Sequence, residues 1–214
     1  MKRTKSGKAW MHEHVTDVFV QRAKAEGWRS RAVFKLMEID DRDHLIRPGE
    51  TIVDLGAAPG GWSQLAVQRL RGNGRIVALD LLEMAPLTGV DFIRGDFGDA
   101  ETLARLETLL AGERAGLVLS DMAPNISGIA VADQARMMDL AEMALDFARC
   151  WLKMDGSFLI KVFQGYGYED FVRAMREHFR SVMTRKPEAS RDRSAEVYLL
   201  GKGLKTEEKR LENG

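Results

Sequence analysis

Four aspartates stand where four short apolar runs end, and a lysine stands inside a fifth. "TIVDL" (51–55) contains Asp54, "RIVAL" (75–79) is followed by Asp80, "VDFIR" (90–94) leads to Asp96, and "GLVLS" (116–120) leads to Asp121. The fifth run, "SFLIKVFQG" (157–165), places Lys161 between Ile160 and Val162. Short apolar runs alternating with helical patterns imply parallel βαβ units, whose ligands bind at the carboxyl ends of the strands. Carboxylates gathered along that one edge repel each other, so they imply a ligand with cationic or hydrogen-bond-donating groups. A lysine inside a strand is costly to bury unless its charge is paired or removed. The plainer reading of Lys161 is an edge strand, or a stem that snorkels to water. The remainder of the chain has to decide between that and a buried, paired lysine.

The first strand-to-helix turn, "DLGAAPGGW" (54–62), narrows the ligand class. Gly56, Gly60 and Gly61 let the backbone approach a ligand closely. The turn is not the dinucleotide pattern G-x-G-x-x-G, and it lacks the Gly-Lys-Ser/Thr of a phosphate-binding P-loop. Asp80 follows Gly56 by 24 residues, about the distance at which a second-strand carboxylate grips ribose hydroxyls. Asp96 with Phe97 could hold an adenine through its exocyclic amine and its ring face. A ribose and adenine reader without a phosphate binder describes S-adenosylmethionine.

With "GWRSRAVFKL" (27–36), "LSDMAPNISG" (119–128), "LIKVFQG" (159–165) and "RDRSAEVYLL" (191–200), the chain resembles the FtsJ/RrmJ family of S-adenosylmethionine-dependent ribose 2′-O-methyltransferases. The match keeps family order over nearly the whole length after residue 13. It implies a doubly wound, Rossmann-like α/β methyltransferase fold, with a seven-stranded sheet, one antiparallel strand and helices on both faces. It places the family's Lys-Asp-Lys-Glu tetrad on Lys35, Asp121, Lys161 and Glu196, with no departure. The expected cofactor set is Asp54, Gly56, Gly60, Gly61, Trp62, Asp80, Asp96, Phe97 and Asp121. The bacterial members most similar imply a uridine in 23S ribosomal RNA, in the assembled 50S subunit, as substrate.

The chemistry suits those residue types. A methyl sulfonium is already a good electrophile, so no metal is required, whereas a ribose hydroxyl needs a base to take its proton. Lys161 would be that base. Lys35 and Glu196 would position the ribose, and Asp121 would touch both lysine and cofactor. Amine methylation favours an Asn/Asp-Pro-Pro-aromatic sequence after the fourth strand, and "SDMAPN" lacks it. Carbon-5 methylation of pyrimidines needs a cysteine at the site, and Cys150 falls in the helical run "ALDFARCWL", where packing is its expected role. Methylation of transfer RNA or an mRNA cap stays open, as does an assembly or RNA-binding factor with secondary catalysis.

The elements that must position these groups follow from the pattern. Helices are predicted near 15–26, 31–40, 61–71, 99–111, 131–153 and 167–178. Runs at 181–185 and 195–200 have no helix between them and read as a hairpin, which gives the antiparallel strand. A basic arm over 1–13, one domain over 14–201 and a charged tail over 202–214 are expected, and 214 residues with 45% hydrophobic content suit one core. Lys+Arg and Asp+Glu balance at 32 each. Cations nevertheless gather in 1–35 (Lys2, Arg3, Lys5, Lys8, Arg22, Lys24, Arg29, Arg31, Lys35) and in 173–193 (Arg173, Arg176, Arg180, Arg185, Lys186, Arg191, Arg193). Two basic segments on a neutral protein suggest contact with a polyanion. Arg29, Arg31, Lys35 and Arg185–Arg193 are expected to meet RNA phosphates, with Trp10, Trp28 or Tyr166 stacking on bases. One cysteine and four scattered histidines offer no metal site. With no apolar stretch after the basic start and no membrane-spanning run, a soluble cytoplasmic protein is expected. No spare apolar helix face is apparent, which favours a monomer.

Overall fold

In the computed structural model, residues 17–125, 127–191 and 194–206 are described. The basic arm with Trp10, most of the tail and Arg193 lie outside them. Two helices, α1 (Val18–Ala25) and α2 (Val33–Asp43), precede an alternating series: β1 (Thr51–Leu55), α3 (Gly61–Leu70), β2 (Arg75–Asp80), β3 (Val90–Arg94), α4 (Ala100–Leu110), β4 (Ala115–Ser120), α5 (Ala130–Trp151), β5 (Leu152–Phe163) and α6 (Tyr168–His178). A hairpin of β6 (Phe179–Arg185) and β7 (Glu196–Leu204) closes the series.

The seven strands form one sheet in the order β3-β2-β1-β4-β5-β7-β6. Pairings from β3 through β5 are parallel, and β7 runs antiparallel to both β5 and β6. β1, at the centre, is buried at every residue, as a sheet covered on both faces requires. Side chains alternate between two apolar layers. Val53, Leu55, Phe158, Ile160 and Val162 join α4, α5 and α6 on one face. Ile52, Leu117, Leu159, Tyr198 and Leu200 join α1, α2 and α3 on the other. Period two therefore sends Lys161 to the face of Leu159, opposite Tyr198 on β7 and on the side where α2 packs.

Three expectations shift. The helix over 131–153 ends at Trp151 and the chain becomes extended at once, because buried Leu152 pairs with Ala115 of β4. The strand expected from 157 thus begins at Leu152 and absorbs an irregularity in register before Ser157. At the other end β7 continues past residue 201, since Leu204 is buried and pairs with Phe179. Cys150, expected to pack, is exposed on α5.

Candidate active site

The carboxyl ends of β1, β2 and β4 open into a cavity of about 740 Å³. Its floor is the glycine turn. Gly56 N donates to Leu79 O at 2.8 Å and Ala57 N to the same carbonyl at 3.1 Å. Gly56 has φ +78°, and a Cβ there would lie 2.7 Å from Met122 N, so only glycine fits. Asp80 is held by two backbone amides: Ala58 N donates to Oδ2 at 2.8 Å and Leu82 N to Oδ1 at 2.7 Å. Each oxygen keeps a lone pair for a ligand hydroxyl. Asp96 accepts from Gly98 N at 2.9 Å and stays exposed at the far wall, beside buried Phe97. Gly56, Asp80, Asp96, Phe97 and Asp121 all line the cavity.

Asp54 lies beneath that lining. It is 1% exposed, its Oδ2 accepts from Ser63 Oγ at 2.6 Å, and its Oδ1 has no hydrogen-bond partner. Burial pushes its carboxyl up to about 7, against the Ser63 bond and with help from Asp121 and Asp80. Gly60 and Gly61 begin α3 outside the lining. A side chain at Gly60 would meet Arg29 and Met84, and one at Gly61 would meet Ser30. Trp62 turns its indole away from the cavity, donating to Ala32 O at 2.8 Å and packing on Tyr198 at 5.7 Å between ring centroids.

The tetrad assembles beside the cavity as two ion pairs. Lys161, 7% exposed, donates from Nζ to Asp121 O at 2.6 Å and lies 3.1 Å from Asp121 Oδ1. Lys35 of α2, 9% exposed, donates to Glu196 Oε1 at 2.6 Å. Asp121 is itself fixed by its own amide, which donates to Leu55 O at 3.0 Å. Tyr198 joins the pairs. Its hydroxyl donates to Asp121 Oδ1 at 3.0 Å, and Lys35 Nζ lies 5.7 Å from its ring centroid. Burial first, then Asp121 and Glu196, hold that phenol well above the usual tyrosine range, so it remains a donor. Lys161 is therefore neither on an edge nor snorkelling. It is buried between β4 and β7 with a carboxylate.

A model of the FtsJ-like methyltransferase family matches residues 28–204, from the turn after α1 to the last residue of β7. The chain belongs to this family. Ribosomal RNA large subunit methyltransferase E of Thiobacillus denitrificans is 63% identical over 201 residues, covering 94% of this chain and 91% of that one. The protein of the same name from Neisseria meningitidis serogroup B is 56% identical over 200 residues, covering 94% and 97%. Among solved structures, a ribosomal RNA methyltransferase from Plasmodium falciparum is similar at 26% identity and a TM-score of 0.75, covering 83% of this chain and 98% of that one. A methyltransferase from Streptococcus mutans, solved with SAH, shares the fold at 13% identity and a TM-score of 0.50, covering 81% and 96%.

As an FtsJ-like methyltransferase the chain spends its cations in an unexpected way. Arg29 donates to Ala85 O at 2.6 Å and Pro86 O at 2.7 Å, strapping the segment before α2 to the β2–β3 loop. Arg31 donates to Ala189 O at 2.6 Å and pairs with Asp17, which also caps α1. Arg185 forms a two-toothed pair with Asp43 at 2.7 and 2.8 Å. These three side chains, expected on phosphates, are engaged within the fold. Sequence reading also missed Tyr198 and Ser190, whose Oγ donates to Glu196 Oε1 at 3.0 Å. Tyr198 had one visible signal, an aromatic hydroxyl two residues after Glu196 on the same strand face. Ser190 had none. No group of three or more metal-ligating side chains occurs among the described residues, and no described helix is long and apolar enough to cross a membrane.

Proposed function

We propose that the protein transfers a methyl group from S-adenosylmethionine to the 2′-hydroxyl of a uridine in 23S ribosomal RNA, acting as a monomer on the assembled large subunit. The observation that carries the chemistry is the buried Lys161–Asp121 pair at the rim of a cavity suited to an adenosyl cofactor. The substrate class rests on the names of the relatives, which match this chain over 94% of its length.

The cavity fits the cofactor by charge and shape. Asp80 would take ribose hydroxyls, Asp96 the adenine amine, and Phe97 the apolar ring. Asp121, in the lining, would face the cationic part, with the buried carboxyl of Asp54 behind it. When bound, S-adenosylmethionine supplies a methyl group on a sulfonium, which an activated oxygen can attack.

Lys161 prepares that oxygen. A neutral amine has two N–H donors and one lone pair. Asp121 offers Nζ two acceptors within 3.1 Å, its carbonyl and Oδ1, so an amine held there without its third proton would keep its lone pair for the ribose hydroxyl. Lys161 takes the hydroxyl proton, and Asp121 orients the amine and stabilises the ammonium that forms. Lys35 and Glu196 hold the neighbouring ribose groups as donor and acceptor.

Transfer of label from S-adenosylmethionine to intact large subunits, protein-free ribosomal RNA, transfer RNA and capped RNA tests this. Label in an alkali-resistant dinucleotide from subunits, lost in Lys161→Ala, is expected. Label in transfer RNA or cap alone would overturn the substrate. Cofactor binding without label anywhere would overturn the enzyme reading in favour of an assembly factor.

A further inference from the structure

The carboxylate that opens β7 has a partner outside the tetrad. Glu196 Oε1 accepts from Ser190 Oγ at 3.0 Å as well as from Lys35 Nζ at 2.6 Å. Ser190 belongs to the connection between β6 and β7, where a serine hydroxyl is ordinarily spent on a local turn or on water. Here it is only 5% exposed. The connection is pressed inward because it is tied to the helix that carries Lys35 and to the segment just before it. Glu188 N donates to Glu38 Oε2 at 2.8 Å, and Arg31 Nη2 donates to Ala189 O at 2.6 Å. Ser190 N closes the turn on Pro187 O at 2.8 Å, and Ala189 beside it is 1% exposed.

We propose that Ser190 is a positioning residue of the methyl-transfer site: with Lys35 it fixes Glu196 Oε1 and so sets how that carboxylate meets the substrate ribose. The role rests on the ribose-methylation reading given above. One ion pair leaves a glutamate free to swivel about its partner, at a cost in side-chain entropy when substrate must hold it still. A second donor on the same oxygen, delivered from a separate element, removes that freedom before substrate arrives. Among the described residues, Tyr198 on the same strand also lies beside Glu196, with its hydroxyl donated to Asp121.

Ser190→Ala and Ser190→Thr, assayed beside the wild type on intact large subunits, test the role. In Ser190→Ala, kcat is expected to fall about tenfold, the scale of a lost hydrogen bond to a charged group, while cofactor affinity and Tm hold. KM for subunits is expected to hold, so the loss is confined to kcat. Ser190→Thr, which keeps the hydroxyl, restores most of the rate. An unchanged kcat, or a joint fall of kcat, cofactor affinity and Tm with no rescue by threonine, overturns the proposal. A wild type that fails to methylate subunits overturns the functional reading instead. The clamp is then read without turnover, from the mobility of the Glu196 side chain by NMR relaxation in wild type and Ser190→Ala. Unchanged mobility overturns it whatever the substrate.

Discussion

The cavity and the mouth meet at Asp121 and are built on opposite electrostatic plans. The cavity is lined by Asp80, Asp96, Asp121 and Asp139, with Asp54 buried beneath them, and the one cation in the lining, Arg136, is already bound to Asp133 and Ser127. Asp54, Asp80 and Asp96 are held by a serine and by backbone amides rather than by opposing charge. The mouth pairs each acid with a lysine inside the protein. The difference separates two tasks. Uncompensated acids attract a cationic ligand and release their mutual repulsion when it binds. Pre-paired groups cannot bind by charge, but they are already in the orientation that proton transfer needs.

Breaking one region should leave the other intact, and the largest effect belongs to the mouth. Lys161→Ala is expected to cut single-turnover transfer by about 10²–10⁴-fold, the range of a lost general base, with cofactor affinity by calorimetry little changed. Asp80→Ala should do the reverse. Cofactor Kd rises roughly 10- to 100-fold, as for a lost hydrogen bond to a charged group, while transfer at saturating cofactor is largely retained. If Lys161→Ala weakened cofactor binding as much as Asp80→Ala, the separation would be wrong.

The smallest effect is on stability and sharpens the electrostatic contrast. Asp54 sits at about 7 when folded, above the ordinary aspartate value. A raised carboxyl binds its proton more tightly in the folded state, so its contribution is full at low pH and is lost as pH rises from about 4 to about 7. Asp54→Asn removes that loss and still offers Ser63 an acceptor. Its Tm should exceed the wild type's at pH 8 by an amount that shrinks through pH 5 and vanishes below about pH 4. The stabilisation is on the order of a few kcal/mol at most, since each pH unit is worth about 1.4 kcal/mol. Saturating cofactor should shrink the gain, because a cation stabilises the ionised carboxyl.

The same contrast explains what was legible in the sequence. The cavity is written locally: a strand, a glycine turn and an acid recur within a few residues, so Gly56, Asp80, Asp96 and Phe97 could be read from spacing. The mouth joins Lys35 to Glu196 across 161 positions and Tyr198 to Asp121 across 77. No local pattern encodes those pairs, so the tetrad came from family resemblance and Ser190 escaped notice. Charge counts do not reveal partners within the fold: Arg29 meets carbonyl oxygens and Arg185 meets Asp43. Nor does sequence adjacency reveal direction, since Trp62 follows the glycine turn while packing on Tyr198.

The placement of β7 between β5 and β6 bears on how the chain is made. Every residue lining the cavity lies before position 144, so that region can form early in synthesis. β5, in contrast, waits for residues 196–204, and until they emerge one side of it exposes unpaired backbone groups. Open strand edges invite mispairing, and a lysine in the middle of one is a common deterrent. On the growing chain Lys161 fills that protective post, and only the arrival of β7 buries it and supplies the far wall of the mouth. A chain interrupted before Glu196 would carry every residue that lines the cavity and only one of the mouth's two ion pairs.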